Sequence, residues 1–133
     1  MTPEQLSQVE ALVARLRTEP AFAPAFYARL FAAAPETETL FGDVDAQAEK
    51  LSDELGGLVG LLGNLEALEQ RAGDLGQRHR GYNVRAGHYE AARQCMEAAI
   101  DDVLGEDFDA STRVAWARAY NLVAELMMSG GRP

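Results

Sequence analysis

His79 is the residue whose type and surroundings best suit chemistry, because the chain contains only two histidines. Leu75 precedes it by one helical turn, and Tyr89 follows it by ten residues. A neutral imidazole binds a metal ion through one ring nitrogen when the other donates to a fixed acceptor, and a helix provides that acceptor in the carbonyl one turn earlier. The residues alone allow two interpretations: a metal ligand oriented by Leu75, or a core histidine.

Length and charge restrict the classes of protein to which the chain can belong. A chain of 133 residues has the length of one domain, and its net charge of −9 opposes binding to nucleic acid and to anionic lipid. Cys95 has no second cysteine with which to pair, and the N-terminal sequence lacks the basic and apolar regions of a secretory signal. We therefore predict a single domain over residues 1–133, a cytoplasmic location, and no nucleic-acid or membrane partner.

Apolar residues recur at helical spacing along the chain, and no segment convincingly predicts a strand. The run Thr2-Pro3-Glu4-Gln5 has the residue types of an N-cap, a first helical residue and a capping-box partner, and it predicts a helix near 3–18. A second helix is predicted at 22–34, with Pro24 in its first turn. Later patterns predict a short helical turn at 35–42 and helices at about 45–63, 65–79, 89–104 and from Asp109 onward.

The helix predicted at 45–63 has Gly56, Gly60 and Gly63 along one side. Each glycine costs a helix up to ~1 kcal/mol relative to alanine, so propensity alone argues weakly for this helix. Its apolar face supports the prediction instead. Glycines along one side favour close approach of a crossing helix, and a more mobile helix is the alternative.

A family resemblance distinguishes between the possible helical folds. It lies in the segment Leu75-Gly-Gln-Arg-His79-Arg-Gly-Tyr-Asn-Val84-Arg-Ala-Gly-His-Tyr89, which resembles the proximal region of bacterial single-domain globins, flavohaemoglobin globin domains and neuroglobin. The resemblance implies an all-α globin fold of about six to seven helices around a b-type haem. Periodicity alone predicts only an all-α domain, for which a plain helical bundle is the alternative.

Spacings elsewhere in the chain match the same family. Phe41 stands ten residues after Phe31, where globins place the phenylalanine that stacks on the haem. Gln47 follows six residues later, at the distal position where many bacterial globins carry glutamine. Leu51 stands four residues further, at the apolar position over the iron, and residues 116–120 look like part of the family's last helix.

The resemblance also implies roles on the two sides of the haem. His79 would be the proximal iron ligand, with Tyr89 beside it, and Tyr27 and Gln47 would donate hydrogen bonds to dioxygen on the distal side. High oxygen affinity is expected. Because glutamine and not histidine holds the distal position, the sixth position of the iron should be open or weakly held. Without the family, Tyr27 and Tyr89 are core aromatic residues and Gln47 is a solvated helix residue.

The resemblance implies further contacts around the haem. Lys50 and Arg78 would meet the propionates as basic side chains. An apolar wall would keep water from the iron, and every member of that wall could equally be ordinary core: Leu51, Leu55, Leu75, Val84, Ala92 and Met96. His88 has no role in the family, and we predict it at the surface.

The implied function is reversible binding of dioxygen, and of nitric oxide and carbon monoxide, for oxygen transport or nitric oxide scavenging. A nitric oxide dioxygenase is the first alternative. No FAD-binding or nicotinamide-binding domain is expected after the final helix, so such an enzyme would need an external reductase. A haem-based sensor or interaction module with the same fold is the second alternative.

Overall fold

The computed structural model describes residues 1–82 and 84–129, apart from the side chain of Val44, and contains six α-helices and two 3₁₀ helices there. The α-helices are α1 (Pro3–Leu16), α2 (Phe22–Ala33), α3 (Val44–Val59), α4 (Leu65–Gly81), α5 (Ala86–Leu104) and α6 (Ala110–Ser129). The 3₁₀ helices are Pro35–Leu40 and Gly105–Asp107. No strand occurs in these ranges, which confirms the predicted all-α class. Among the helices described, none has an apolar stretch long enough for a membrane span.

Polar side chains fix the starts of four helices. Thr2 and Gln5 form the predicted capping box, in which each side chain accepts from the other's backbone N–H at 3.1 Å. The side chains of Asp43, Asn64 and Asp109 accept from backbone N–H groups in the first turns of α3, α4 and α6. The local sequence therefore sets where these four helices begin.

Helix boundaries differ from the sequence predictions by up to four residues. The helix α1 ends at Leu16 and not near residue 18, and α5 begins at Ala86, three residues earlier than predicted. The helix α3 ends at Val59. After it, the N–H groups of Leu61 and Leu62 donate to carbonyls three residues earlier, which is the tighter hydrogen-bond pattern of a 3₁₀ turn and not that of an α-helix. The glycines in this segment lower its helix propensity, which favours the early end.

Gly56 in α3 and Gly60 and Gly63 after its end do not provide the predicted close helix crossing. A Cβ atom at Gly56 would meet the flexible side chain of Arg17, and nothing lies within 4 Å of one at Gly63. Gly76 in α4 has the close approach instead, since a Cβ atom there would overlap the backbone of Met127 in α6. The prediction of a tight crossing at Gly56, Gly60 and Gly63 was wrong because the groups that face α3 at Gly56 are side chains.

The apolar core forms two clusters of side chains. The first core cluster joins α1, α2, α5 and α6 and includes Phe26, Tyr27 and Met96. The second core cluster lies beside α4 and contains Leu58, Leu68, Ala72, Tyr89, Ala124 and Met127. The helix α2 packs chiefly on α5, whereas α4 packs chiefly on α6. The helix that carries Tyr27 and the helix that carries His79 therefore contribute to different parts of the core.

Candidate functional site

The last turn of α4 holds His79 by its ring and by its backbone. The ring Nδ1 lies 2.8 Å from the carbonyl oxygen of Leu75. A carbonyl oxygen only accepts, so Nδ1 carries the proton in this bond and the lone pair of the neutral ring is on Nε2. The His79 carbonyl accepts from the N–H groups of Tyr82 and Val84 at 3.0 and 3.1 Å. The ring is half-buried, and its Nε2 is the atom available to a ligand or metal.

Tyr89 lies beside the His79 ring and is held from α6. The two ring centroids are 6.2 Å apart, with 28° between the ring planes. The hydroxyl of Tyr120 donates to the backbone carbonyl of Tyr89 at 2.8 Å. Burial raises the pKa of the Tyr89 phenol, partly opposed by the positive charge of Arg80. No local sequence signal indicates the contribution of Tyr120, because its partner lies 31 residues away in the chain.

Tyr27 places a protonated hydroxyl inside the fold. Its side chain is buried, and desolvation raises its pKa to about 12, so the phenol remains a hydrogen-bond donor at neutral pH. The hydroxyl donates to the backbone carbonyl of Gln47 at 3.3 Å, which is longer than the usual O–H···O distance. The structure therefore brings Tyr27 next to Gln47, as the resemblance implies, with a weak bond that a better acceptor could replace.

Aromatic rings surround the Tyr27 side chain. The centroid of its ring lies 5.3 Å from that of Phe41 and 5.9 Å from that of Phe31, and these two phenylalanines are 5.6 Å apart. Phe26 completes the group at 5.1 Å from Tyr27. Rings at these distances attract one another and restrict the direction of the hydroxyl. Phe41 is half-buried at the end of the 3₁₀ helix Pro35–Leu40.

The residues predicted as an apolar wall divide between the two core clusters. Four of them belong to or pack against the first core cluster: Leu51, Leu55, Ala92 and Met96. Leu75 and Val84 pack against the second core cluster, which includes Tyr89. Leu51 and Leu55 also line a cavity of about 300 Å³ bounded by α1, α2 and α3. The side chains of Lys50 and Arg78 are exposed, and Gln47 is half-buried.

His88 has a structural role that explains the early start of α5. Its Nδ1 accepts from the backbone N–H of Arg85 at 2.9 Å, just before the helix begins. Its Nε2 lies 3.7 Å from a carboxylate oxygen of Glu36. The ring is half-buried and not fully at the surface as predicted, because it folds back over the helix start.

Comparison with known proteins assigns the fold to a family. The globin family model matches residues 24–127. The chain belongs to the globin family. It is 32% identical over 133 residues to a flavohemoprotein from Deinococcus radiodurans, a match that covers 96% of this chain and 33% of that protein. An uncharacterized globin-like protein from Aquifex aeolicus is 29% identical over 106 residues, covering 77% of this chain and 73% of that protein. This globin chain thus spans about a third of the flavohemoprotein's length.

Solved globin-like structures superpose on nearly the whole chain. An engineered carbene transferase, a nitric oxide dioxygenase candidate from Rhodothermus marinus, gives a TM-score of 0.83 at 28% identity and covers 97% of this chain and 92% of that chain. A bacterial globin from Campylobacter jejuni gives a TM-score of 0.82 at 23% identity and covers 96% of this chain and 94% of that chain. This similarity shows the shared fold. The predicted globin fold and the resemblance to bacterial globins and flavohaemoglobins are confirmed.

Globin membership implies haem binding, and the side chains of this globin fit that group. A porphyrin supplies the equatorial ligands of its iron, so the protein needs to supply only one further ligand, such as an imidazole with a lone pair on Nε2. His79 has that lone pair because Leu75 occupies its Nδ1. Apolar side chains pack near His79 and near Tyr27, and Tyr27 adds a buried donor. This donor set matches the chemistry of haem.

We expect the stability of this globin to fall as pH rises from 10 towards 12, partly because of Tyr27. The unfolded chain releases the phenol proton near pH 10, whereas burial holds the pKa of Tyr27 at about 12, so its contribution is complete below pH 10 and is lost as pH rises through 12. Urea unfolding at pH 8 to 11 measures this loss. Tyr27→Phe should make the free energy of unfolding fall less steeply with pH. Tyr82→Phe, at a ring that is 61% exposed, should leave this pH dependence as in the unmodified protein. Equal slopes for all three proteins would contradict this account.

Proposed function

We propose that this globin binds haem b through Nε2 of His79 and reversibly binds dioxygen, nitric oxide or carbon monoxide on the side of Tyr27. Its role would be oxygen binding and transport or scavenging of nitric oxide, with residues 1–133 acting as one globin domain. The observation that carries the proposal is the 2.8 Å contact between His79 Nδ1 and the Leu75 carbonyl. That contact leaves an oriented nitrogen lone pair beside Tyr89 and the second core cluster.

The proximal residues orient the ligand nitrogen and exclude water. When bound, haem supplies an iron with one position open to a diatomic ligand. Donation from Nδ1 to the Leu75 carbonyl makes Nε2 more basic and sets the plane of the ring. Leu75, Val84 and Tyr89 provide apolar surface next to it. Apolar surroundings of this kind lower the local dielectric constant, which strengthens polar interactions made by the ring.

The distal residues supply hydrogen-bond donors to a ligand that carries partial negative charge. The Tyr27 hydroxyl stays protonated at neutral pH, and its bond to the Gln47 carbonyl is long enough to be exchanged for a better acceptor. The amide of Gln47, whose backbone carbonyl lies beside Tyr27, would be a second donor. Hydrogen bonds to charged groups contribute ~1.5–3 kcal/mol, or roughly 10- to 150-fold in ligand release. Tight binding of dioxygen follows from these donors.

The remaining predicted residues would line the haem and hold its propionates. Phe41 would stack on it, and Leu51, Leu55, Ala92 and Met96, which belong to or pack against the first core cluster, would form an apolar wall beside it. Lys50 and Arg78 are exposed, which suits basic side chains that meet propionates at the protein surface. Exposed ion pairs of this kind contribute only ~0–1 kcal/mol each.

Replacing Tyr27 tests the distal half of the proposal. Tyr27→Phe should speed dioxygen release at least ~10-fold, because it removes one charge-assisted donor and keeps the ring. Stopped-flow displacement of dioxygen by carbon monoxide measures the rate. Tyr82→Phe, at an exposed tyrosine, serves as the matched control and should release dioxygen at the unmodified rate. An unchanged rate in Tyr27→Phe would remove this residue from the ligand site.

The two histidines provide a matched test of the iron ligand. His79→Ala should lose its haem during gel filtration, whereas His88→Ala should keep its Soret band, because His88 only caps α5. The ratio of Soret to protein absorbance in the eluted peak measures retention. Loss of haem from His88→Ala with retention by His79→Ala would reverse the assignment.

A nitric oxide dioxygenase that uses a separate reductase is the second candidate. Two similarities favour it: the match to flavohemoproteins and the match to the dioxygenase candidate from Rhodothermus marinus. For this activity we expect NADH-dependent consumption of nitric oxide only when the haem-loaded protein is mixed with a cell extract. A nitric oxide electrode follows the reaction, with His79→Ala plus extract as the control. Equal consumption by both mixtures would reject the dioxygenase and leave ligand binding as the function.

A further inference from the structure

The helix α4 contacts α6 through two residues, and each of them directly follows a residue of the hydrogen bond between Leu75 and His79. Gly76, next to Leu75, is buried, and a Cβ atom at this position would overlap the backbone of Met127. Only glycine allows the two helices to approach so closely at this point. The crossing therefore fixes the separation of α4 from α6 immediately beside the carbonyl that orients His79.

Arg80, next to His79, forms the second contact of α4 with the same residue. Its Nη1 donates to the Met127 carbonyl at 3.0 Å. Met127 lies in the last turn of α6, where carbonyl groups have no partner within the helix and a positive charge is favourable. Arg80 thus satisfies one of these carbonyls and places its charge where the helix dipole stabilises it.

Two pairs of residues, each four positions apart, are interleaved along α4. Leu75 and His79 form the ring bond, and Gly76 and Arg80 contact Met127. Residues four apart lie on one face of a helix, so each pair moves as a unit when the helix rotates or slides. A shift of α4 that broke the contacts with Met127 would turn His79 by the same rotation.

We propose that Arg80 is a positioning residue that, with Gly76, locks α4 to the end of α6 and thereby sets the direction of His79 Nε2. The inference rests on the proposed function of His79 as the iron ligand. The same helix α6 also holds Tyr89 through the Tyr120 hydroxyl, so it restrains the imidazole from two sides. A movement of the end of α6 would therefore be passed through Arg80 to His79 and would change the direction in which its Nε2 meets the iron.

Vibrational spectroscopy separates positioning from simple stabilisation. Arg80→Met keeps much of the apolar stem and removes the donor and the charge, whereas Arg80→Lys keeps both. Arg118→Met removes an exposed arginine of α6 and is the matched control. In the haem-loaded ferrous proteins, the iron–histidine stretching band should shift and broaden in Arg80→Met. It should return towards its original position in Arg80→Lys and stay unchanged in Arg118→Met. A band in Arg80→Met that coincides with the original one would overturn the proposal, even if the melting temperature fell.

Amide hydrogen exchange on the haem-free protein tests the lock without relying on haem. Loss of the hydrogen bond from Arg80 to the Met127 carbonyl, of ~0.5–1.5 kcal/mol, should speed amide exchange in the last turn of α4 about 2- to 10-fold in Arg80→Met, with little change in α1. Unchanged exchange in that turn would reject the lock. A colourless unmodified protein with faster exchange in Arg80→Met would instead reject the haem function and keep the lock.

Discussion

The hydrogen bond from His79 Nδ1 to the Leu75 carbonyl is the interaction on which the proposed chemistry depends. It assigns the ring proton to Nδ1 and leaves a directed lone pair on Nε2. The bond exists only while α4 remains helical to its last turn, and the N–H groups of Tyr82 and Val84 close that turn by donating to the His79 carbonyl. Side chain and backbone are therefore fixed together, so the single imidazole proposed as the ligand has a defined orientation.

The divided core gives this imidazole its setting. The helix α4 packs mainly on α6 and forms part of the second core cluster, whereas α2 packs mainly on α5 in the first. Tyr120 packs against both clusters and bonds to the Tyr89 carbonyl, which connects the two parts close to His79. The helix α6 thereby acts as the common support, and its contact with Arg80 extends that support to the residue that follows His79.

The Tyr27 hydroxyl is buried and only weakly bonded, which suits the ligand-binding role proposed for it. Burial keeps its hydroxyl protonated, the neighbouring rings restrict its direction, and its present acceptor lies at 3.3 Å. A well-placed internal acceptor would compete with a ligand for the same proton. A weak one satisfies the hydroxyl partly and would yield to a negatively charged ligand at little cost, which suits a globin whose proposed role is to hold diatomic molecules.

The sequence by itself determined the helix order, the caps at Thr2 and Asp109, and the pairing of His79 with Leu75. The hydrogen bonds that form the helices, the caps and the His79–Leu75 pair each join residues within four positions, so the local sequence contains both partners of each bond. Family spacing also placed Tyr27 next to Gln47, 20 residues away. Only the tertiary structure decided that Gly76 and not Gly56 is the glycine of the close crossing, and that Arg80 reaches Met127 across 47 residues. Such contacts depend on the angle and height at which two helices meet, and the whole core sets these quantities together.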